Sequence, residues 1–200
     1  MSLNLIPIFI IALALQTHTK TILFFGDSLT AGYGLSPENA FPALVEKELN
    51  KENKKVKVIN AGLSGETSAG GLSRIDWTLR QPVDIFVLEL GANDGLRGLP
   101  IDQTKKNLQA IIDKVKSKYP KAKVVLAGMM VPPNMGKSYS DDFKKIYPTM
   151  ANKNKASLIP FLLEGVAGSE KLNQADGIHP NAEGHKIVAD NLVTFLRPLI

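Results

Sequence analysis

Five short apolar runs, separated by stretches with helical periodicity, constrain this chain more than any other feature. The runs are Thr21–Phe25, Val56–Asn60, Val83–Leu90, Lys123–Met129 and Ser157–Phe161. Turn-forming residues bound each of them, and their length suits buried strands. Between them, apolar residues recur on one helical face: Phe41, Leu44, Val45 and Leu49; then Leu108, Ile111, Ile112 and Val115; then Val188, Leu192 and Phe195. Ile101–Lys118 opens with Asp102 and closes with Lys114, Lys116 and Lys118, an order that complements a helix dipole. Strands apolar on both faces, alternating with amphipathic helices, predict an α/β fold in which helices cover both faces of a parallel sheet. No repeat, low-complexity tract or long linker divides the sequence, and 200 residues fit one domain.

The stretch from Leu3 to Leu15 is almost wholly apolar. It is shorter than the roughly 20 residues of a membrane span and suits the centre of a secretory signal peptide. Ala12 and Ala14 form an A-x-A arrangement, so cleavage after Ala14 is the expectation; no Lys or Arg precedes the run, the first basic residue being Lys20. An uncleaved apolar anchor or a buried helix is the alternative. The expected organisation is a signal peptide and short connector over residues 1–19, then a single domain over residues 20–200. The expected location is periplasmic or secreted, with no membrane span after processing.

Composition narrows the chemistry. There is no cysteine, which excludes disulfides, thiolate zinc sites, iron–sulfur clusters and a cysteine nucleophile. The histidines are His18, His179 and His185, too few for a histidine-rich metal centre, so no metal or cofactor is expected. His18 lies in the leader. The net charge of +5, from 24 basic and 19 acidic residues, is mild. No basic stretch carries interleaved aromatics, so no nucleic-acid partner is expected. The lysines of residues 47–57 are mixed with Glu46, Glu48 and Glu52 and read as a solvated face. Gly136-Lys137-Ser138 mimics the end of a phosphate-binding loop, but Val131 stands where that loop needs glycine.

In an open parallel sheet, ligands bind beyond the carboxyl ends of the strands. Four polar segments fall there: Gly26-Asp27-Ser28-Leu29-Thr30, Gly62 to Ser68, Gly91-Ala92-Asn93-Asp94-Gly95, and Asp176-Gly177-Ile178-His179-Pro180. A serine hydroxyl needs a base to take its proton, and the base needs a partner to fix its tautomer. Ser28 sits at a strand-to-helix turn, beside unpaired backbone N–H groups. Asp176, three residues before His179, can accept one ring N–H while the other nitrogen faces outward. Ser28 N–H, Gly65 N–H and the Asn93 amide are candidate donors to an oxyanion. Plainer roles stand beside these: a helix cap for Ser28, a turn glycine for Gly65, a turn pair for Asn93 and Asp94. Asp27 reads as a residue holding the turn, Ser64 and Ser68 as turn chemistry, and His185 as a solvated or packing residue. Thr30 in the last place rules out a G-x-S-x-G elbow.

Gly26-Asp27-Ser28-Leu29 resembles the signature of the GDSL hydrolases. Ser28, Gly65, Asn93 and His179 fall in the four blocks that name the SGNH hydrolase superfamily. The chain is similar, within that superfamily, to bacterial periplasmic enzymes acting as thioesterase, arylesterase and lysophospholipase. The matching stretches run from Glu89 to Gly98, from Asp176 to Asn181, and from Ser64 to Ser68, with Glu66 where Asp is common. The resemblance implies a three-layer, flavodoxin-like sheet of order 2-1-3-4-5. It implies Ser28 as nucleophile, His179 as base, Asp176 as its orienter, and Gly65 N–H and Asn93 as oxyanion donors. It implies two substrate loops: Leu96 to Pro100, with Leu96, Arg97 and Leu99, and a mobile lip from Val131 to Tyr139, with Pro132 and Met135. The expected substrate is a small acyl ester or thioester, lysophospholipids included, cleaved by a monomer. A carbohydrate acetyl-esterase and a non-catalytic lipid binder are the alternatives.

Overall fold

The computed structural model describes residues 19–200. The expected signal peptide and connector, residues 1–19, lie outside the described residues apart from residue 19. In chain order the elements are β1 (Lys20–Gly26), α1 (Ser28–Ala31), α2 (Phe41–Lys51), β2 (Val56–Gly62), α3 (Ser68–Thr78), β3 (Ile85–Glu89), α4 (Ala92–Leu96), α5 (Ile101–Lys118), β4 (Lys123–Ala127), α6 (Lys137–Lys144), α7 (Ile146–Asn154), β5 (Ser157–Ile159) and α8 (Ala182–Leu196). All five strands are parallel, in the order β2-β1-β3-β4-β5, as the resemblance implied.

The interiors of β1, β3 and β4 are apolar because both faces are covered, while the edge strand β2 carries Lys57 and Asn60 and is partly exposed. Successive side chains of a strand point to opposite faces. Phe24 meets Phe41 of α2 edge to face, with ring centroids 5.4 Å apart. Phe25 lies under the Arg74 guanidinium of α3, 4.2 Å from the ring centroid. Helix α2 packs against α8, while α3 packs against α5 and α5 against α7. The helix predicted over Ile101–Lys118 forms with those bounds, and it buries Leu108, Ile111, Ile112 and Val115.

Two details differ from the sequence reading. On α8 the buried row is Val188, Leu192 and Leu196, and Phe195 is only partly buried. A helical step of four continues the row to Leu196 and rotates Phe195 off it. Helix α3 gave no clear apolar period because two of its residues are Gly70 and Gly71. A Cβ on Gly71 would stand 2.4 Å from Leu90 Cδ1 and 3.1 Å from Phe25 Cε1. The helix lies so close to the sheet that only glycine fits there.

The register levels the carboxyl ends of β2, β1 and β3. Gly26 pairs with Gly62 of β2 and with Glu89 of β3. The segments that follow these residues therefore leave the sheet side by side.

Candidate active site

The chain turns sharply after β1. Asp27 caps α1, and its Oδ1 accepts from Leu29 N–H at 3.1 Å. The helix runs only from Ser28 to Ala31 before Gly32 ends it in the left-handed region. A side chain at Gly26 would run into Thr30 and Glu89, so the glycine lets the turn fold back on the strand end. Ser28 opens this turn with its hydroxyl toward a cavity.

The loop after residue 172 brings His179 to that hydroxyl. Ser28 Oγ lies 2.9 Å from His179 Nε2, and His179 Nδ1 lies 2.7 Å from Asp176 Oδ2. Asp176 Oδ1 accepts from the backbone N–H groups of Ile178 and His179, each at 3.0 Å. The His179 N–H leads these bonds in pulling the Asp176 carboxyl down to about 2, so it is an anion at neutral pH. An anion beside Nδ1 fixes the proton there and leaves Nε2 as acceptor for the Ser28 O–H. Gln174 braces the loop: its N–H donates to His179 O at 2.8 Å, and its Nε2 donates to Tyr33 O at 2.7 Å and to Pro180 O at 3.0 Å. The Tyr33 ring lies against the imidazole, with centroids 4.7 Å apart.

Gly65 and Asn93 face the same cavity. Gly65 has φ +78°, in the region that favours glycine. Its loop is anchored by the next residue. Both Glu66 carboxylate oxygens share the N–H of Arg74 Nε, at 2.6 and 2.8 Å, and Oε2 accepts a further short bond from Nη2. Arg74 Nη2 also donates to Ala61 O at 2.9 Å and Gly26 O at 3.3 Å, which ties the Gly65 loop to the ends of β1 and β2. Asn93 Nδ2 donates to Asp27 Oδ2 at 3.1 Å. An amide nitrogen carries two protons, so one remains for a ligand.

Asp94 and Ser68 hold α3, α4 and α5 together below this floor. Buried Asp94 accepts from Ser68 N–H at 2.7 Å, Ser68 Oγ at 2.5 Å and Thr104 Oγ1 at 3.2 Å. Asn107 Nδ2 donates to Ser68 Oγ at 2.9 Å. Ser68 is thus more than a turn residue. The sequence reading also passed over Glu89, which is fully buried beneath the turn. Its signal was a lone carboxylate near the end of an otherwise apolar strand. Burial raises the Asp27 carboxyl to about 6, and burial with the charge of Asp27 raises that of Glu89 well above the usual range. His185 is buried, and its Nδ1 accepts from Phe41 N–H at 3.1 Å. It is the packing residue the sequence allowed, some way from the serine.

The cavity measures about 610 Å³, within the range of small-molecule sites. Its walls are mostly apolar, among them Met129, Val131, Phe161, Leu163 and Ile178. Of the five residues expected to contact substrate, Leu96 and Pro132 line it, and Arg97, Leu99 and Met135 do not. Arg97 Nη2 instead donates to Gly65 O at 2.9 Å. Leu99 O accepts from Tyr139 at 2.8 Å, and Met135 packs against the core. The expected lip from Val131 to Tyr139 is in part α6, whose first turn holds Lys137, Ser138 and Tyr139. Tyr33 and Leu163 went unnoticed because they belong to loops the motifs do not mark, and Phe161, read as the end of the fifth strand, lies past it because β5 stops at Ile159. Among the described residues, no group of three or more acidic or histidine side chains is placed to hold a metal.

Comparison with known proteins identifies the family and the fold. The model of the GDSL-like Lipase/Acylhydrolase family matches residues 24–187. Esterase TesA of Pseudomonas aeruginosa is 39% identical over 192 residues, covering 96% of this chain and 94% of that protein. Thioesterase 1/protease 1/lysophospholipase L1 of Escherichia coli K12 is 40% identical over 181 residues, covering 90% of this chain and 85% of that protein. A crystal structure of TesA superimposes with a TM-score of 0.86 at 40% identity, covering 90% of this chain and all of that one.

Proposed function

The chain belongs to the GDSL-like lipase/acylhydrolase family, and from that premise we propose that it is a serine hydrolase of carboxylic esters and thioesters. The observation that carries the reading is the relay from Ser28 Oγ through His179 to Asp176, with contacts of 2.9 and 2.7 Å, at the wall of an apolar cavity. Ser28 Oγ attacks the acyl carbonyl carbon as His179 Nε2 takes its proton. The carbonyl oxygen becomes an oxyanion held by Ser28 N–H, Gly65 N–H and the Asn93 amide. As the tetrahedral intermediate collapses, the imidazolium returns the proton to the departing alcohol or thiol. Water then attacks the acyl-serine with His179 as base, and the acid leaves as Ser28 is restored. Asp176 keeps the imidazole in the needed tautomer and stabilises its positive charge.

Hydrolysis of p-nitrophenyl esters by wild type and Ser28→Ala tests this. The reading expects the variant to fall by at least about 1,000-fold; equal rates would overturn it. The apolar walls support acyl chains longer than acetyl and weigh against the acetyl-esterase reading. A series of esters, thioesters and lysophospholipids of increasing chain length checks that, and a strict preference for acetyl would reverse it.

We further propose that residues 1–19 direct export and that residues 20–200 are the working domain. The apolar run and its A-x-A site support this. Sequencing the amino terminus of the extracytoplasmic protein tests it, and an intact Met1 in a cytosolic fraction would refute it.

A further inference from the structure

Glu89 takes no part in the steps above, yet it is the most enclosed ionisable group beside them. It ends β3 beneath the Asp27–Ser28 turn, with 0% of its surface exposed. Its Oε2 accepts from Asp27 N–H at 3.1 Å and from the Thr30 hydroxyl at 2.8 Å. No donor among the described residues is directed at its Oε1. The bond from Asp27 N–H sets the Glu89 carboxyl beside the Asp27 turn, and the charge of Asp27 acts on it. Asp27 is itself 1% exposed, and its two oxygens accept from Leu29 N–H and Asn93 Nδ2.

Two neighbouring carboxylates, both closed off from water, repel each other when both are ionised, and the orphaned Oε1 then has nothing to offset its charge. One of the pair must be neutral. The donors decide which. Both oxygens of Asp27 already receive N–H groups, so Asp27 is the acceptor. Glu89 has one oxygen filled by two donors and one that nothing serves, and a proton belongs on the second. The surroundings do not reverse this. His179 and Asn93 act on the Asp27 side, Tyr147 donates to Leu90 O, Asp94 is satisfied by Ser68 and Thr104, and the Arg74 charge near Gly26 O is matched by Glu66.

We propose that Glu89 is a positioning residue that stands as a neutral carboxylic acid, donates its O–H to the Asp27 carboxylate, and so holds Asp27 as the anion that aims the Asn93 amide at the oxyanion. The pair keeps one proton throughout turnover, so nothing is consumed or released. Its effect on rate rests on the serine-hydrolase reading. Its protonation does not.

Two variants and one spectrum test it. Glu89→Gln keeps a neutral side chain with a donor for Asp27 and an acceptor for Asp27 N–H and Thr30. Glu89→Leu keeps the bulk and removes both. With p-nitrophenyl ester, Leu is expected to lower kcat on the order of 100-fold with KM little changed, because a misaimed oxyanion donor weakens the transition state alone. Gln is expected to restore kcat to within about fivefold of wild type. Gln as damaging as Leu would mean that an ionised Glu89 is required. Leu within about threefold of wild type, or a loss confined to KM, would mean that Glu89 does not position the donor. Either result overturns the proposal. Infrared spectra at pH 8 stand apart from activity and from the folding of the Leu variant. Wild type should show a protonated-carboxyl C=O band that Glu89→Gln lacks, and no difference between the two would refute the neutral acid. Should Ser28→Ala retain activity while that band is present, the triad reading fails and the protonation of Glu89 stands.

Discussion

Ser28, His179 and Asn93 carry the proposed chemistry, and each depends on a neighbour that holds it in place. His179 is useful as a base only with its proton on Nδ1, and Asp176 at 2.7 Å puts it there. Asp176→Asn is expected to lower kcat by about 10,000-fold while the fold stays intact, as loss of the correct tautomer does in other serine hydrolases. Steady-state kinetics beside a thermal melt checks both halves. Asn93→Ala removes a single oxyanion donor and is expected to lower kcat by roughly 100-fold to 1,000-fold with an unchanged KM. Ser28, Asp176 and His179 were legible in the sequence because their chemistry is local: a serine at a strand end is exposed, and an Asp–His pair within one loop can hydrogen-bond to itself. Glu89 was not. Whether a buried carboxyl is charged depends on what stands beside it, and Asp27, its partner, lies on a different strand end.

Helices and loops enter the site through how they are fastened. Ala40, which precedes α2, offers no side-chain cap. His185 on α8 supplies the missing acceptor to Phe41 N–H, with its ring stacked 5.8 Å from that of Phe41. Burial, then the charge of His179, pulls His185 down to about 4 from its ordinary 6.5. Between those values the unfolded chain binds the proton and the native one does not. Stability from His185 is therefore full above pH 6.5, falls as pH drops toward 4, and levels off below, a loss on the order of 3 kcal/mol. Urea titrations across that window check the slope. His185→Leu should flatten it, at a cost of about 1–2 kcal/mol near pH 7 for the orphaned amide. Arg74 fastens the Gly65 loop in a similar way. Arg74→Met strands Glu66, whose side chain is 3% exposed, and is expected to destabilise by about 3 kcal/mol, measurable in the same titrations. Neither fastening was visible in the sequence. The Arg74 pair spans eight residues and the His185 contact 144, and no local pattern encodes a meeting of that kind.

At the scale of the molecule, the sheet was the most legible part. Apolar runs between turn-forming residues located every strand to within a few residues, because a strand covered on both faces can contain little else. The cavity was the least legible, since its walls come from loops whose sequences answer to shape alone. Tyr33 and Phe161 look ordinary until the fold sets them around Ser28. The hydrogen bond from Ser28 to His179 joins positions 151 apart in the chain. During synthesis, which proceeds from the amino terminus, the nucleophile is made early and its base near the end. A ribosome-bound chain holding the first four strands has a serine hydroxyl and no means of activating it. With the proposed base on the closing loop, acyl transfer is expected to begin only when that loop docks, so the onset of activity would date the completion of the fold.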